Sequence, residues 1–530
     1  MEEDPVLRKI GNFGKWQFMK ISIFGLGPIL SAWQMLAVSF LLPETEFWCS
    51  PAGLQISLGE SLNWTSPIDK DNNRPNACEM FDLDYKISTL PSEVNHTKVT
   101  ACSRWDFSRE VYPESVVSEF HLVCDNDRWR SLSQSIYMGG YMMGAVGSGV
   151  FSDMFGRKIV TFLAALGLVA SGIGAAFSPN MAVFTLLRCF AAFFSSSCYT
   201  CGYVYCMEII GGSWSTYVGV GYTFPWAVGY ITMPLLSILF PSWSHLQLAT
   251  TIPSIVFAVL LGVPTLVPES PRWLLAQGRT ELAEEILTKA SETNKKMTLA
   301  IETVTARDEK NGKSAHFLDL FRTPGLRRST LIMYYAWFTN SFVYYGLALN
   351  SGNLIPGDLH TNFAISGALE VLAYILTILV LLKAGRRISV SACMLLGGTT
   401  LVMTALVSST MGKMVLAQLG KFAITGSFAM VYVYAAEIFP TVVRNMGIGS
   451  SSMCARVGSI LAPYIGREVG RSSPTTSIII FGVTSIIAGV LVLLLPETRN
   501  SRLPDTMEEG EQFAIKFGGI RGLGKKKERM

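Results

Sequence analysis

Long apolar stretches recur along the whole chain and are separated by segments rich in polar residues. A helix needs roughly 20 apolar residues to cross a bilayer core about 30 Å thick. About twelve stretches have this character, at residues 21–42, 134–151, 159–177, 181–206, 217–240, 246–267, 329–349, 363–382, 389–408, 414–436, 446–466 and 476–495. A large soluble α-protein rarely has apolar helices this long this often. The pattern therefore predicts an all-α membrane protein with twelve transmembrane helices.

The composition agrees with a membrane protein. Of the 530 residues, 50% are hydrophobic and only 15% are charged, whereas an average soluble domain has about 25% charged residues. The formal net charge is +4, and this near balance argues against nucleic acid as a partner. We therefore expect the lipid bilayer to be the main environment of the chain.

Basic residues predict the orientation of the helices, because lysine and arginine collect in cytoplasmic loops. They occur in the N-terminal segment, after the second and eighth stretches, in residues 272–328 and at the C-terminal end. These positions share one side if the helices alternate in direction, so both termini are predicted to be cytoplasmic. The predicted divisions are a cytoplasmic N-terminus, a six-helix half, a cytoplasmic linker with short helices, a second six-helix half and a cytoplasmic tail, at residues 1–20, 21–267, 268–328, 329–496 and 497–530.

Residues 43–130 form a polar segment on the opposite side, which we expect to be extracellular. The segment contains four cysteines, Cys49, Cys78, Cys102 and Cys124. Four cysteines in one such segment predict two disulfides in an oxidising compartment, and all three possible pairings stay open. Asn63 and Asn95 each begin an acceptor sequon, which predicts glycosylation.

An internal repeat relates the two halves of the chain. Arg157 and Arg386 lie 229 positions apart, as do Glu208 and Glu437. The Pro-Glu pairs that follow the sixth and twelfth stretches lie 228 positions apart. Features in register imply two six-helix halves related by duplication. Parallel six-helix halves are the organisation of major facilitator transporters, which bind substrate between the halves near the membrane midplane.

Four segments carry a more specific likeness, at residues 149–158, 268–274, 102–124 and 436–445. Through them the chain resembles the major facilitator superfamily and, within it, the organic cation, anion and carnitine transporter family of solute carriers. The first segment is similar to a loop motif of the whole superfamily. The third and fourth are similar to this family's outer loop and to its segment after the tenth helix. The resemblance implies a major facilitator fold and transport by alternating access.

The resemblance also implies gating residues at the cytoplasmic ends of the helices, where ion pairs are thought to link parts of the bundle. The matching positions are Asp153, Gly156, Arg157, Glu208, Arg272, Arg386, Glu437 and Arg444. Charged anchors that only fix the topology are the alternative. Met154 stands where the family usually has a basic residue, and Lys383 and Ala384 stand where the second motif often has an acid. We therefore expect the second cluster to be weaker than the first.

Four ionisable residues lie deep in the predicted helices, at Arg188, Glu370, Lys421 and Arg456. A charged side chain at that depth is costly, so it usually faces a cavity or a partner. Glu370 and Lys421 share a depth near 10 Å at about 1.5 Å per residue, so they are positioned to pair with each other. Arg456 lies near the middle of its helix without a partner at that level. We expect it to face a central cavity and to receive an anionic group, with a helix–helix polar bond as the alternative.

The family resemblance sharpens this expectation for the substrate. Members selective for cations commonly carry an acid at the position of Arg456, whereas anion and carnitine-type members carry arginine, and the surrounding residues look most like the carnitine branch. A zwitterion would place its carboxylate on Arg456 and its ammonium on Glu370 or on aromatic rings, which attract cations. Each ring can instead be a packing residue. The candidate substrate-binding residues are Arg456, Glu370, Lys421, Tyr344, Tyr345, Trp337, Phe342, Tyr222, Trp226 and Tyr199.

Sequence motifs of enzymes are lacking. No phosphate-binding loop of the Gly-x-x-x-x-Gly-Lys-Ser/Thr type occurs, and the five histidines form no metal-binding motif. We expect no enzyme activity, cofactor or metal. We interpret the chain as a polyspecific plasma-membrane transporter of small organic cations or zwitterions, carnitine-like, with a monomeric transport unit. An organic anion exchanger and a non-transporting receptor or scaffold are the alternatives, and coupling to sodium or protons stays open.

Overall fold

The computed structural model describes residues 5–50, 66–68, 76–81, 98–211, 214–295, 317–355, 357–470, 473–499, 504 and 506–517. Twelve long helices run through this part of the chain: α1 (Lys15–Leu41), α2 (Arg128–Phe155), α3 (Arg157–Ala176), α4 (Met181–Glu208), α5 (Tyr217–Leu239), α6 (Trp243–Gly262), α7 (Pro324–Leu349), α8 (Leu359–Lys383), α9 (Arg386–Met403), α10 (Thr410–Ile438), α11 (Arg444–Tyr464) and α12 (Pro474–Val492). Short turns interrupt α1, α5 and α6. In α6 the interruption precedes Pro253, which lacks the amide hydrogen that a continuous helix needs.

The helices form two halves. Helices α1–α6 pack mainly against one another, and helices α7–α12 do the same. The halves meet chiefly where α2 packs on α11 and where α5 packs on α8. This arrangement confirms the predicted architecture of twelve membrane-crossing helices in two six-helix halves. We call the face that carries helices Pro5–Ile10 and Met507–Phe517 the inner face, and the face that carries the described residues 43–50 and 98–127 the outer face.

Eight helices of the described part are long and apolar enough to cross a membrane on composition alone. The other four long helices, α2, α7, α9 and α11, carry polar residues that the fold buries against neighbouring helices. Ser131 and Gln134 of α2 and Asn340 of α7 are examples, since each has at most 3% of its surface exposed. Composition understates the membrane-crossing helices because polar groups that face protein avoid contact with lipid.

The helices extend beyond the predicted apolar stretches. The first stretch was predicted to start at residue 21, but α1 begins at Lys15. Lys15 and Lys20 lower the hydropathy of this segment without ending the helix. Lys20 is buried, and its ammonium donates a hydrogen bond to the carbonyl of Leu266 beyond the end of α6. A lysine that is satisfied in this way is compatible with a helix that continues into the protein interior.

Side-chain caps fix where several helices begin at the outer face. An N-cap side chain accepts a hydrogen bond from a backbone amide of the first turn, which otherwise lacks a partner. Four helices that run from the outer to the inner face, α4, α8, α10 and α12, have such a cap, supplied by Asn180, Asp358, Ser409 and Ser473. The cap at Asp358 accepts from the amide and the hydroxyl of Thr361. Burial acts to raise the pKa of Asp358, but these hydrogen bonds hold it below its ordinary value.

The outer segment between α1 and α2 contains two small antiparallel sheets. Strand β1 (Phe47–Cys49) pairs with β4 (Trp105–Phe107), and β2 (Glu79–Phe81) pairs with β3 (Val99–Ala101). Two disulfides hold these strands, Cys49–Cys102 and Cys78–Cys124. The prediction of two disulfides is confirmed, and the fold selects one of the three pairings. Asn63 and Asn95 lie outside the described residues, so their predicted glycosylation stays a prediction.

Short helices on the inner face brace the long ones. Helix Thr280–Thr293 ends beside Asn294, whose side chain accepts the amide hydrogen of Trp16 and donates to the carbonyl of Ile10. In helix Met507–Phe517, the carboxylate of Glu511 accepts the amide hydrogens of Gly325 and Leu326 at 2.8 and 2.9 Å. Burial acts to raise the pKa of Glu511, but these hydrogen bonds hold it below its ordinary value. Glu511 thereby caps the first turn of α7.

Close packing of α2 on α4 generates a prediction about two glycines of α2. A Cβ added to Gly144 would overlap the carbonyl oxygen of Phe193 in α4, whereas a Cβ added to Gly149 meets nothing within 4 Å. We expect Gly144→Ala to destabilise the protein by about 1–3 kcal/mol through overpacking. The matched variant Gly149→Ala should be neutral or slightly stabilising, because alanine favours helix. Thermal unfolding of the purified protein in detergent measures both, and equal melting temperatures would contradict the close approach.

Candidate functional site

Arg456 lies near the middle of α11 and points between the two halves. Its guanidinium carbon is 4.7 Å from the ring centre of Tyr141, which belongs to α2 in the opposite half. Tyr345 of α7 and Tyr432 of α10 are further neighbours of the guanidinium. Among the residues that the structure describes, no carboxylate lies within ion-pair distance of Arg456. Its charge is therefore surrounded by phenol rings.

Tyrosines from both halves line the space in front of Arg456. Tyr432 is 44% exposed and Tyr203 of α4 is 37% exposed, although both lie within long helices. Tyr203 and Tyr199 of the first half both have Tyr432 of the second half as a neighbour. We call the space bounded by these residues the central chamber, and its lining residues are Tyr141, Tyr199, Tyr203, Tyr345, Tyr432 and Arg456. The exposed rings lie toward the inner ends of α4 and α10, so the chamber opens toward the inner face.

A buried polar network closes the outer side of the chamber. Lys421 of α10 lies 3.9 Å from the carboxylate of Glu370 in α8, and each is only 1% exposed. The hydroxyl of Tyr344 donates to Glu370 at 2.6 Å and accepts from the indole of Trp226 at 3.1 Å. The ammonium of Lys421 donates to the hydroxyl of Tyr230 and lies 4.0 Å from the centre of that ring. Because Trp226 and Tyr230 belong to α5, the network joins the two halves.

Arg188 occupies a separate place inside the first half. Its guanidinium carbon lies 4.5 Å above the ring centre of Tyr137, and Nη1 donates to the amide oxygens of Gln34 and Gln247, each at 3.4 Å. The side chain is 1% exposed. Arg188 is thus held by neutral groups of the first half and does not line the central chamber.

The inner ends of α2, α3 and α4 are tied together by ion pairs. Arg157 lies 2.8 Å from both Asp153 and Glu208. The hydroxyl of Ser270, just before helix Pro271–Ala276, donates to the other oxygen of Glu208. These contacts join three helices and the linker of the first half into one cluster.

The second half repeats this cluster at the predicted offset. The Nε of Arg386 lies 3.1 Å from Oε2 of Glu437, and the hydroxyl of Thr498 donates to the same oxygen. Leu382 stands at the repeat position of Asp153, so the second arginine lacks that carboxylate. The difference agrees with the expectation of a weaker second cluster.

Two glutamates that marked the repeat also take part in the clusters. Glu269 accepts the amide hydrogen of Lys158 at 3.0 Å, and Glu497 accepts that of Arg386 at 2.8 Å, each in the first turn of a helix. A carboxylate is favourable at a helix N-terminus. Gly156 has a positive φ of 104°, and a Cβ at this glycine would clash with the carboxylate of Glu269. The glycine thus permits both the turn and the close approach.

The two other expected gating residues lie nearby on the inner face. Arg444 begins α11, and its Nε donates to the carbonyl of Phe439 at 3.3 Å. Arg272 is the second residue of helix Pro271–Ala276 and is half-buried. A role of either residue in gating stays a proposal.

Comparisons with known proteins agree on the family. The family model described as "Sugar (and other) transporter" matches residues 85–509. An "Organic cation transporter protein" of Drosophila melanogaster is 36% identical, covering 97% of this chain and 96% of that protein. The human "Organic cation/carnitine transporter 2" is 32% identical, covering 96% and 93%. The inward open structure of the xylose transporter XylE from E. coli has a TM-score of 0.59 at 16% identity, covering 94% of this chain and 99% of that chain.

The chain belongs to the organic cation, anion and carnitine transporter family of the major facilitator superfamily. The relatives match it over nearly their whole length, so the resemblance predicted from short motifs is confirmed. The chain is a transmembrane transporter and not an enzyme. The XylE structure has the same fold as this transporter.

The transporter's fold separates the expected substrate-binding residues into three groups. Arg456, Tyr345 and Tyr199 line the central chamber. Glu370, Lys421, Tyr344 and Trp226 form the buried outer network, and the predicted pairing of Glu370 with Lys421 is present. The rest are packing residues in this structure, namely Trp337, Phe342 and Tyr222.

Packing contacts account for that third group. Trp337 is fully buried, with its ring centre 4.2 Å from that of Tyr432. The ring of Phe342 turns toward α12 and lies 4.8 Å from that of Phe481. The hydroxyl of Tyr222 donates to backbone carbonyls of α1 and α4. We therefore place these rings behind the chamber wall.

Three chamber residues, Tyr141, Tyr203 and Tyr432, are not among the candidate substrate-binding residues that the sequence analysis selected. They sit among many aromatic residues, and only the rotation of each helix decides which rings face inward. One signal in the sequence could have indicated a chamber residue, namely a tyrosine at about the depth of Arg456 on a helix of the opposite half. Tyr141 has this property. The cluster glutamates Glu269 and Glu497 were visible as repeat markers, but their hydrogen bonds depend on the fold.

The buried pair in the outer network generates a testable expectation. Lys421→Met leaves the carboxylate of Glu370 without its cation, and Glu370→Gln leaves the ammonium without its anion. Each single change should destabilise the protein by about 3–5 kcal/mol, whereas the double variant should cost much less than their sum. Melting temperatures of the purified variants in detergent test this, and additive losses would show that the residues do not act as a pair.

Proposed function

We propose that this transporter moves small organic cations or zwitterions, carnitine-like, across the plasma membrane by alternating access. The single observation that carries the proposal is Arg456, a charged group without a carboxylate partner among the described residues, inside a chamber of tyrosine rings. The relatives support it, because they are named as organic cation and organic cation/carnitine transporters. In the proposed orientation both termini are cytoplasmic and residues 43–130 are extracellular.

Arg456 is suited to bind the carboxylate of a zwitterion. A guanidinium presents parallel N–H donors that match the two oxygens of a carboxylate. An ionised side chain inside the membrane usually faces a partner or a cavity, and here it faces the central chamber. A bound carboxylate would supply the negative charge that no residue in the described part of the chain places beside Arg456.

The tyrosine rings are suited to hold the ammonium end. A quaternary ammonium over an aromatic face gains about 0.5–2 kcal/mol, more where water is excluded. Tyr203 and Tyr432 offer exposed rings on opposite sides of the chamber. Glu370, which the sequence offered for this role, is buried behind Tyr344 and paired with Lys421. We therefore propose that the rings, rather than Glu370, receive the cation.

Organic anion exchange is the second candidate, and Arg456 is the observation that favours it. A second cation in the chamber would strengthen the case for anion exchange. Lys421, however, is occupied by Glu370 and Tyr230, and Arg188 lies outside the chamber. One accessible guanidinium fits one carboxylate, which a zwitterion supplies together with a cation for the rings. A non-transporting receptor would show no uptake of any organic ion.

Substitution of Arg456 tests the proposal. We expect Arg456→Ala to abolish saturable uptake of carnitine while retaining uptake of tetraethylammonium, a cation without a carboxylate, at an unchanged surface level. The measurement is uptake into transfected cells, once in sodium buffer and once with sodium replaced by an impermeant cation other than choline. Arg188→Gln is the control for general destabilisation, because it removes a buried arginine of the helix bundle that lies outside the chamber. Normal carnitine uptake by Arg456→Ala would remove this residue from the site.

The ring of Tyr432 provides a second test. Tyr432→Leu should raise the KM for carnitine by a factor of roughly 2 to 30, which corresponds to the loss of one cation–π contact. Tyr432→Phe keeps the ring and should stay near the KM of the unchanged protein. Equal KM values for the leucine and phenylalanine variants would show that the ring does not contact the ammonium.

A further inference from the structure

Charged and polar contacts join the two halves at the outer face, above the buried network. Arg467 belongs to the second half and lies in the π-helical turn Ile465–Val469 that extends α11. Its Nη2 lies 3.5 Å from the carboxylate of Glu44 and 3.9 Å from that of Asp127, both in the first half. π-helical turns are rare and occur frequently at functional sites. The turn therefore places a cation of one half beside two carboxylates of the other.

Two hydrogen bonds strengthen the same junction. The hydroxyl of Ser131 in α2 donates to the carboxylate of Glu468 at 2.8 Å, next to Arg467. One turn deeper, the hydroxyl of Ser135 donates to the carbonyl of Ile460 in α11 at 2.8 Å. The contacts between α2 and α11 thus continue inward from the charged pairs.

The first-half side of this junction is held in place by Arg130. Its Nη1 lies 3.1 Å from Asp127, and its Nη2 donates to the carbonyls of Leu42 and Pro43 at 2.9 and 2.8 Å. These contacts fasten the end of α1, and with it Glu44, to the start of α2. Arg467 therefore meets two carboxylates whose backbones are fixed relative to each other.

We propose that Arg467, Glu44, Asp127, Ser131 and Glu468 form an outer latch that holds the halves together while the chamber faces inward. The proposal rests on the alternating access of the proposed function. For the chamber to open outward, α11 must move away from α2 at this point, and the latch contacts must separate. The latch residues do not line the chamber, so they are positioning residues that set how often the transporter faces outward.

Accessibility of a cysteine from outside tests the latch without relying on transport. Ser39 is 7% exposed near the outer end of α1, and its hydroxyl donates to the carbonyl of Leu349 in the other half at 3.3 Å. In the Ser39→Cys protein on intact cells, we expect slow labelling by a membrane-impermeant thiol reagent. Adding Arg467→Ala should raise the labelling rate at least fivefold, and Glu44→Gln should raise it less.

Matched variants separate the latch from general loosening. Arg467→Lys keeps the charge and should return the labelling rate toward that of the Ser39→Cys parent. Arg109→Ala removes an exposed arginine from the same outer segment and should leave the rate unchanged. Protein without Ser39→Cys gives the background from native cysteines. Surface levels are compared in every case.

The outcomes distinguish the latch from the proposed function. An unchanged labelling rate in Arg467→Ala at equal surface level would overturn the latch, even if the protein transports organic ions normally. If Arg467→Ala does not reach the surface, Glu44→Gln decides, and an unchanged rate in that variant would overturn the latch. Faster labelling after Arg467→Ala, together with no uptake of any organic ion by the protein without substitutions, would support the latch and overturn the proposed function.

Discussion

The constraint on which the central chamber depends is a guanidinium inside a membrane that has no carboxylate partner among the described residues. Burying an ionised side chain at the bilayer centre costs roughly 3 kcal/mol on insertion scales. The protein reduces that cost for Arg456 with the rings and hydroxyls of Tyr141, Tyr345 and Tyr432 and with an opening toward the inner face. The other interior charges of the second half, Glu370 and Lys421, neutralise each other. The paired charges become a wall of the chamber, whereas the unpaired charge stays available to a ligand.

The strength of contacts differs between the inside of each half and the junctions of the halves. Within each half, the inner cluster joins an arginine, a glutamate and a hydroxyl across three elements. A second glutamate accepts an amide hydrogen in the first turn of the helix that begins with that arginine. Between the halves, the contacts described above are single hydrogen bonds and ion pairs, which run from α2 to the end of α11, from α5 to α7 and α10, and from α1 and the residues after it to α7 and Arg467. Rigid halves joined by separable contacts are what a rocking motion requires. Because the two halves are repeats of each other, each half has its own stabilising cluster.

Local patterns made the fold predictable, and helix rotation limited the prediction of the site. The length of each apolar stretch depends only on neighbouring residues, and the offset of 229 positions compares two short motifs, so both could be read from the sequence. The shared depth of Glu370 and Lys421 could be read in the same way. The pairing of the cysteines was not readable, because it depends on how two small sheets come together. Phe342 faces α12 rather than the chamber, since the orientation of a ring follows from the packing of its whole helix. Arg467 is not among the residues that the sequence analysis singled out, because only the fold places Glu44 beside it.

The contrast between Arg456 and the rings also bears on polyspecificity in the proposed function. A guanidinium and a carboxylate meet in a defined bidentate geometry, which orients one end of a ligand. Cation–π attraction is far less directional, and several rings offer alternative faces to the other end. A chamber built from one directional group and several adaptable ones can accept ligands that share a charge pattern but differ in length and shape. A carboxylate in place of the rings would fix the cation at one point and narrow the range of ligands. The tyrosines that lower the free-energy cost of burying Arg456 therefore also broaden the range of ligands that the chamber can bind.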